Sequence, residues 1–259
     1  MGRIIFVTSF KGGVGKTTVS ANIASALVLL GRRVLVVDAD YGNRCMDLVL
    51  GMEDDCLFDS ADAIRGNIDV SAAIRAHGTV PGLYFMPAPA FFGGKLSPDD
   101  TVAFFSRLKG DYDFIIVDSS AEDSDTYRAF ARAAEDALVV TFHQTTAIRA
   151  AEKTAAILSE LGYSNIRMVV NCYRAKAAAE GLLPSMYSII QGAKVQLIGA
   201  IPADDSVPVK QESGTLPYLG KGRLSPYEAA TLNIAKRLLG APVPLFKDVY
   251  KPKKLKYYF

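Results

Sequence analysis

The chain has 259 residues, half of them hydrophobic, and a formal net charge of +2. One α/β domain commonly has this length, and so large an apolar fraction can fill a sizeable core. No apolar run approaches the roughly 20 residues that a membrane-spanning helix needs. The three cysteines, Cys45, Cys56 and Cys172, form no C-x-x-C pair, so we expect reduced, structural thiols rather than a cysteine metal site.

The first predicted element is a strand at residues 4–8, and it leads directly into a glycine-rich loop, KGGVGKTT, at 11–18. Glycines let backbone N–H groups converge on phosphate oxygens, and the helix predicted at 17–30 adds its free N–H groups. This order of strand, loop and helix favours a phosphate-binding loop over an ordinary turn. In such a loop Lys16 contacts the β and γ phosphates, and the Thr17 hydroxyl ligates Mg²⁺. The predicted nucleotide-binding residues of the loop are Gly12, Gly13, Val14, Gly15, Lys16, Thr17 and Thr18.

Short β-branched runs alternate with helical patterns through the rest of the chain. We predict strands at 34–38, 83–86, 114–118, 137–141, 168–171 and 196–201, and helices at 98–108, 125–133, 147–161 and 225–239. This alternation predicts a single-domain, three-layer α/β/α fold with a mostly parallel sheet. The ligand of such a sheet lies at the carboxyl ends of its strands.

Three aspartates fall at or just after the ends of two predicted strands. Asp38, Asp40 and Asp118 can therefore reach a magnesium ion and its waters beside a triphosphate. For Asp38, capping of the turn that follows its strand is an equally good interpretation.

The loop at 11–18, with Lys11 as a second lysine and Phe10 in place of the usual first glycine, resembles the deviant Walker A box of the MinD/ParA family of dimeric ATPases. The resemblance covers about residues 3–244 and implies a P-loop NTPase fold of the SIMIBI, MinD-like type. Further segments that resemble the family are 36–53 (switch I), 112–118 (the second magnesium-side strand) and, more weakly, 169–171, 197–202 and 234–240.

The resemblance implies a role for each charged residue of the site. Asp40 positions or activates the attacking water, while Thr17, Asp38 and Asp118 form the magnesium side. Lys11 reaches the nucleotide of a second subunit in an ATP-dependent homodimer, so hydrolysis is slow until a partner protein completes the site. On chemistry alone, Lys11 can instead be one more phosphate-binding cation.

The chain departs from the family in both switches, which affects hydrolysis more than binding. Ser120 and Glu122 replace the proline and glycine that commonly follow the magnesium-side aspartate, and Cys45 replaces an asparagine. For base recognition, the resemblance implies that Asn171 reads adenine and that the backbone after Pro202 frames the base. Asn171 can equally start a turn.

The last 15 residues carry five lysines and one aspartate, so the preceding residues have a net charge near −2. Lysines and aromatic residues together suit an anionic membrane surface. Pro252 interrupts any helix here, and a solvated tail that packs on the body is the alternative. We divide the chain into an ATPase domain, 1–244, and this tail, 245–259. The tentative membrane contacts are Phe246, Val249, Tyr250, Lys253, Lys254, Tyr257, Tyr258 and Phe259.

The resemblance implies a cytoplasmic MgATP switch at the inner face of the membrane, taking part in division-site placement with a regulatory protein of the Min type. A flagellar, polar or ParA-like partition ATPase is the first alternative. An ATP-dependent carboxylate-amidating synthetase is the second. Specific DNA binding is not expected, because the body carries a net negative charge.

Overall fold

The computed structural model describes residues 2–53, 57–218, 223–247 and 249. Within these ranges eight strands form one sheet in the order β3-β4-β2-β5-β1-β6-β7-β8, and all neighbours are parallel except β3 and β4. The strands are β1 Arg3–Thr8, β2 Val34–Ala39, β3 Arg75–Ala76, β4 Leu83–Met86, β5 Phe114–Ser119, β6 Asp136–Thr141, β7 Asn165–Tyr173 and β8 Gln196–Pro202. The helices are α1 Lys16–Leu29, α2 Met46–Leu50, α3 Ser60–Ile64, α4 Val70–Ala73, α5 Pro98–Leu108, α6 Asp125–Ala133, α7 Thr145–Glu160, α8 Ala175–Ala179, α9 Met186–Ala193, α10 Ser206–Glu212 and α11 Pro226–Leu238.

The sheet is buried on both faces, as its continuous apolar strands require. In β1, Ile5 and Val7 point into one core cluster, whereas Ile4 and Phe6 point into the other. Helices α1 and α11 contribute to the first cluster, and α5, α6, α7 and α9 contribute to the second. The result is a three-layer arrangement in which the carboxyl ends of β1, β2 and β5 meet at one edge.

The predicted fold class is confirmed, and all seven predicted strands and five predicted helices are present. The longest extension is in β7, which begins at Asn165 and ends at Tyr173 instead of spanning 168–171. Sequence analysis missed the two-residue strand β3 and the helices α2, α3, α4, α8, α9 and α10. Five of these six helices have seven residues or fewer, too few for a clear 3.6-residue period.

Candidate nucleotide-binding site

The phosphate loop connects β1 to α1 and takes its shape from glycines. Gly13 and Gly15 have φ angles of 74° and 82°, in the left-handed region that residues with a Cβ rarely adopt. Gly15 is the N-cap of α1, so the first N–H groups of that helix face the loop. Phe10, at the position where the usual loop has glycine, instead packs against Tyr127 with ring centroids 5.3 Å apart. The loop is therefore a preformed anion site, and Phe10 attaches its start to the core.

The loop opens into a cleft of about 690 Å³, a volume typical of sites for small ligands. The walls come from the phosphate loop, the segment after β2, the segment after β5, and Phe92. Lys16 lies largely buried against this cleft, whereas Lys11 is exposed to solvent. The cleft thus combines backbone donors, a buried ammonium group and the carboxylates described next.

Two buried carboxylates lie side by side on neighbouring strands, next to residues that line the cleft. Asp38 and Asp118 are register partners on β2 and β5, and both are almost completely buried. Burial, together with repulsion from Asp118, raises the pKa of Asp38 to about 8. Burial also raises the pKa of Asp118 to about 6, against hydrogen bonds from Thr17 and from Ser20, whose Oγ lies 2.8 Å from Oδ1.

This all-oxygen donor set fits Mg²⁺, which binds through few protein ligands and retains phosphate and water oxygens. A bound divalent cation would stabilise the charged carboxylates that burial disfavours. In the described part of the chain, no group of three histidine, cysteine or acidic residues could hold a metal by itself. The arrangement therefore suits a cation that arrives with a nucleotide, and the magnesium role of Thr17 and Asp118 stays a prediction.

Asp38 also has a structural role that the sequence left open. Its Oδ1 accepts the N–H of Asp40 at 2.9 Å, and its Oδ2 accepts those of Met46 at 3.1 Å and Cys45 at 3.3 Å. Asp38 thereby satisfies free N–H groups at the start of α2 from a neighbouring strand. The turn-capping interpretation describes this structure, and ligation of magnesium by Asp38 stays a prediction.

Asp40 is half-buried and lines the cleft directly after the end of β2. Burial raises the pKa of its carboxyl, while Lys16 and the N–H groups of Gly42 and Asn43 lower it. Glu122 lines the same cleft from the segment after β5, and its charge raises the pKa of Asp40 by a smaller amount. A carboxylate with a raised pKa is a better proton acceptor near neutral pH. Asp40 is thus a carboxylate with a raised pKa on the wall of the cleft, and its role toward the attacking water stays a prediction.

Asn171 is buried at the end of β7, and its side chain contacts the phosphate loop. Its Nδ2 donates to the Val14 carbonyl at 3.0 Å, and its Oδ1 accepts the Cys172 N–H at 2.9 Å. Pro202 ends the neighbouring strand β8 and is the register partner of Tyr173. The contact with Val14 has no signal in the sequence, because 157 residues separate the two. Reading of adenine by Asn171 and Pro202 stays a prediction.

The first residues of the predicted tail belong to the folded body. Val249 is fully buried, and Phe246 packs against both core clusters and stacks on Tyr173. Nδ2 of Asn233 donates to the carbonyl of Lys247 at 2.6 Å. Phe246 and Val249 are therefore corrected from membrane contacts to tail anchors, since Val249 is buried and Phe246 is partly buried against the core. Tyr250, Lys253, Lys254, Tyr257, Tyr258 and Phe259 lie outside the described residues.

The fold and the cleft define a P-loop nucleotide-binding protein. In agreement, residues 5–218 match the CobQ/CobB/MinD/ParA nucleotide binding domain. The septum site-determining protein MinD of Thermotoga maritima is 33% identical over 253 residues, which cover 96% of this chain and 92% of the relative. The chain therefore belongs to the MinD/ParA family, and the predicted resemblance is confirmed.

Solved structures agree over the whole chain. In the MinC:MinD cell division protein complex of Aquifex aeolicus, the matched chain is 29% identical with a TM-score of 0.86, and the match covers 100% of both chains. MinD of Pyrococcus horikoshii complexed with Mg-ADP is 27% identical with a TM-score of 0.79, over 94% of this chain and 100% of that one. Among the described residues, no helix is both long and apolar enough to cross a membrane.

Proposed function

We propose that this protein is a MgATP-dependent molecular switch that takes part in spatial organisation of the cell, most directly in placing the division site. The observation that carries the proposal is one cleft lined by the phosphate loop and by half-buried Asp40, with the buried Asp118 hydrogen-bonded to Thr17 at its wall. Relatives matched over nearly their full length are named as septum site-determining MinD proteins, which favours this role over a carboxylate-amidating synthetase.

In the proposed reaction, the phosphate loop and the start of α1 hold the triphosphate through backbone N–H groups. Lys16 places its ammonium group on the β and γ phosphates and offsets the charge that develops on their oxygens. Bound Mg²⁺ supplies further positive charge to the same phosphates. Asp40 accepts a hydrogen bond from the attacking water, aligns it with the γ phosphate and takes its proton as the new bond forms. Water attacks phosphorus, the bond to the bridging oxygen breaks, and ADP and phosphate leave.

Lys11 has a separate part in the proposal. Because its side chain is exposed while Lys16 is largely buried, Lys11 is free to extend from the surface of the loop toward another molecule. We assign it to the nucleotide of a second copy of this chain, where a cation from outside completes the charge stabilisation. Bound ATP then holds two copies together as a homodimer, and hydrolysis lets the two copies separate. Turnover is slow unless a regulatory protein improves this geometry.

Phosphate release from MgATP tests the catalytic part. We expect slow magnesium-dependent release by the wild type and a loss of about 100-fold in Asp40→Asn, because the amide cannot accept a proton while ATP binding is retained. Asp123→Asn is the matched control, since Asp123 lies in the nearby switch but pairs with Arg128. Equal rates in Asp40→Asn and the wild type would reject the assigned role.

The final part of the proposal is peripheral binding to the inner face of the cell membrane through residues 250–259. This segment contains four lysines, four aromatic residues and no acidic residue, and the anchors Phe246 and Val249 fix its point of departure. Each lysine near an anionic surface contributes roughly 1 kcal/mol, and two segments in one dimer gain from effective concentration.

Vesicle co-sedimentation tests this membrane contact. With phosphatidylglycerol-containing vesicles we expect more bound protein in MgATP than in MgADP, and little with pure phosphatidylcholine. Truncation after Val249 removes the segment but keeps both anchors, and a full-length variant with Lys251, Lys253, Lys254 and Lys256 changed to Gln isolates the charge. Equal sedimentation of all three proteins would contradict the proposal.

A further inference from the structure

We propose that Tyr41 is a positioning residue that holds the neighbouring Asp40 on the wall of the cleft. The inference rests on the proposed function, because it concerns the carboxylate assigned there to the attacking water. Its basis is a set of contacts that attach the ring and the hydroxyl of Tyr41 to parts of the chain outside the phosphate loop.

Tyr41 is the point at which the segment between β2 and α2 is attached to the core. Its ring packs against the second core cluster, whereas the next two residues, Gly42 and Asn43, are exposed. All three line the cleft, as Asp40 does. Consecutive Cα atoms lie about 3.8 Å apart, so a fixed Tyr41 limits how far the backbone of Asp40 can move.

The hydroxyl of Tyr41 is bonded to a residue that is itself held in place. It shares a hydrogen bond of 2.7 Å with Oγ of Ser60, which is the first residue of α3 and is fully buried. The N–H of Ser60 in turn donates to the carbonyl of Pro87, directly after β4, at 2.9 Å. The hydroxyl thereby ties the segment after β2 to the start of α3 and to the end of β4.

Two aromatic rings contact the ring of Tyr41 edge to face. Its centroid lies 4.7 Å from that of Phe92 and 5.6 Å from that of Phe130, a fully buried residue of α6. Phe92 is held by Arg65, whose Cζ lies 4.8 Å from the ring centroid and whose Nη2 donates to the carbonyl of Gly93 at 3.0 Å. The ring of Tyr41 is therefore fixed from α6 and from the loop after β4.

Single-turnover hydrolysis of MgATP tests the inference, and the dissociation constant of MgATP is measured for each variant. Tyr41→Leu removes the ring pairs and the hydroxyl. We expect the hydrolysis rate constant to fall about ten-fold, because a misplacement of about 1 Å at a reacting group can cost up to about 100-fold. The dissociation constant should change by less than about two-fold, because the phosphate loop is intact. Tyr41→Phe keeps the ring pairs and should restore most of the rate.

Phe104→Leu is the matched control. Phe104 is a buried aromatic residue of the same core cluster, but it lies on α5 and is not among the described residues that line the cleft. The control should lower the free energy of unfolding, measured in urea, and leave the hydrolysis rate constant within about two-fold of the wild type. Equal loss of rate in Tyr41→Leu and Phe104→Leu, or no loss in either, would overturn the inference.

Combination with Asp40→Asn shows whether Tyr41 acts through Asp40. If it does, Tyr41→Leu causes no further loss in the Asp40→Asn background, because the carboxylate that Tyr41 positions is already gone. Losses that multiply would overturn the inference. Arg65→Gln replaces Tyr41→Leu in the same comparison if the latter does not fold, since it loosens Phe92; we expect about three-fold slower hydrolysis, and an unchanged rate would also overturn the inference. A wild type that does not hydrolyse MgATP, or an Asp40→Asn variant as fast as the wild type, would instead overturn the proposed function.

Discussion

Asp118→Asn should make the ligand-free protein more stable while it weakens the cation side of the cleft. The buried Asp118 carboxyl has its pKa raised from 3.8 to about 6. Two pKa units correspond to about 3 kcal/mol of unfavourable interaction in the charged form. The isosteric amide removes that charge and its repulsion of Asp38, but it gives up charged hydrogen bonds from Thr17 and Ser20. We therefore expect a net gain of about 1 to 3 kcal/mol in the free energy of unfolding.

The pH dependence of this gain follows from the direction of the shift. Between 3.8 and about 6 the folded protein binds more protons at Asp118 than the unfolded chain does. The free energy of unfolding therefore falls as pH rises through this window, and the full penalty is present above it. The difference between variant and wild type should be largest near pH 8 and small near pH 4.

Urea unfolding in EDTA, without nucleotide, measures the effect at both pH values. Asp136→Asn is the control with the opposite sign, because Asp136 is paired with Arg3, whose Nε lies 2.9 Å from Oδ2. Its loss should lower the free energy of unfolding by about 1 kcal/mol. If Asp118→Asn is less stable than the wild type at pH 8, the reasoning that the site holds its carboxylates for a cation, at the expense of stability, is wrong.

Two further predictions concern the cleft and the tail. Glu122→Gln should tighten MgATP binding by a few-fold, because Glu122 lines the cleft and its charge repels both Asp40 and the phosphates; isothermal titration calorimetry checks this, and weaker binding would contradict it. Phe246→Ala should lower the free energy of unfolding by about 2 to 4 kcal/mol, because the ring packs on both core clusters and on Tyr173, whereas truncation after Val249 should leave it within about 0.5 kcal/mol. Equal effects of the two changes in urea unfolding would count against an anchored tail.

The sequence predicted those features that depend on neighbouring residues in the chain. The glycine loop predicted the phosphate site, and the strand-end positions of Asp38 and Asp118 predicted their meeting at one edge. The short α2 was missed because its five residues are too few for a clear 3.6-residue period, and no side chain at its own start caps it. Asp38, at the end of β2, accepts its first N–H groups instead.

Tertiary packing decided the remaining cases. Phe246 and Val249 lie in a segment rich in lysines and aromatic residues, a composition that favoured a membrane contact in the sequence. In the structure Val249 is buried and Phe246 is partly buried against both core clusters, an outcome that composition cannot distinguish from a membrane-facing segment. The bond from Asn171 to Val14 likewise depends on a contact between distant parts of the chain.

Light scattering of the purified protein with saturating MgATP and MgADP tests the central claim most directly. We predict a monomer with MgADP, a dimer with MgATP, and a more persistent dimer in Asp40→Ala, which retains unhydrolysed ATP. Lys11→Ala should bind MgATP and stay monomeric, because Lys11 acts on the nucleotide of the second copy. A wild type that remains monomeric while binding MgATP would contradict the account.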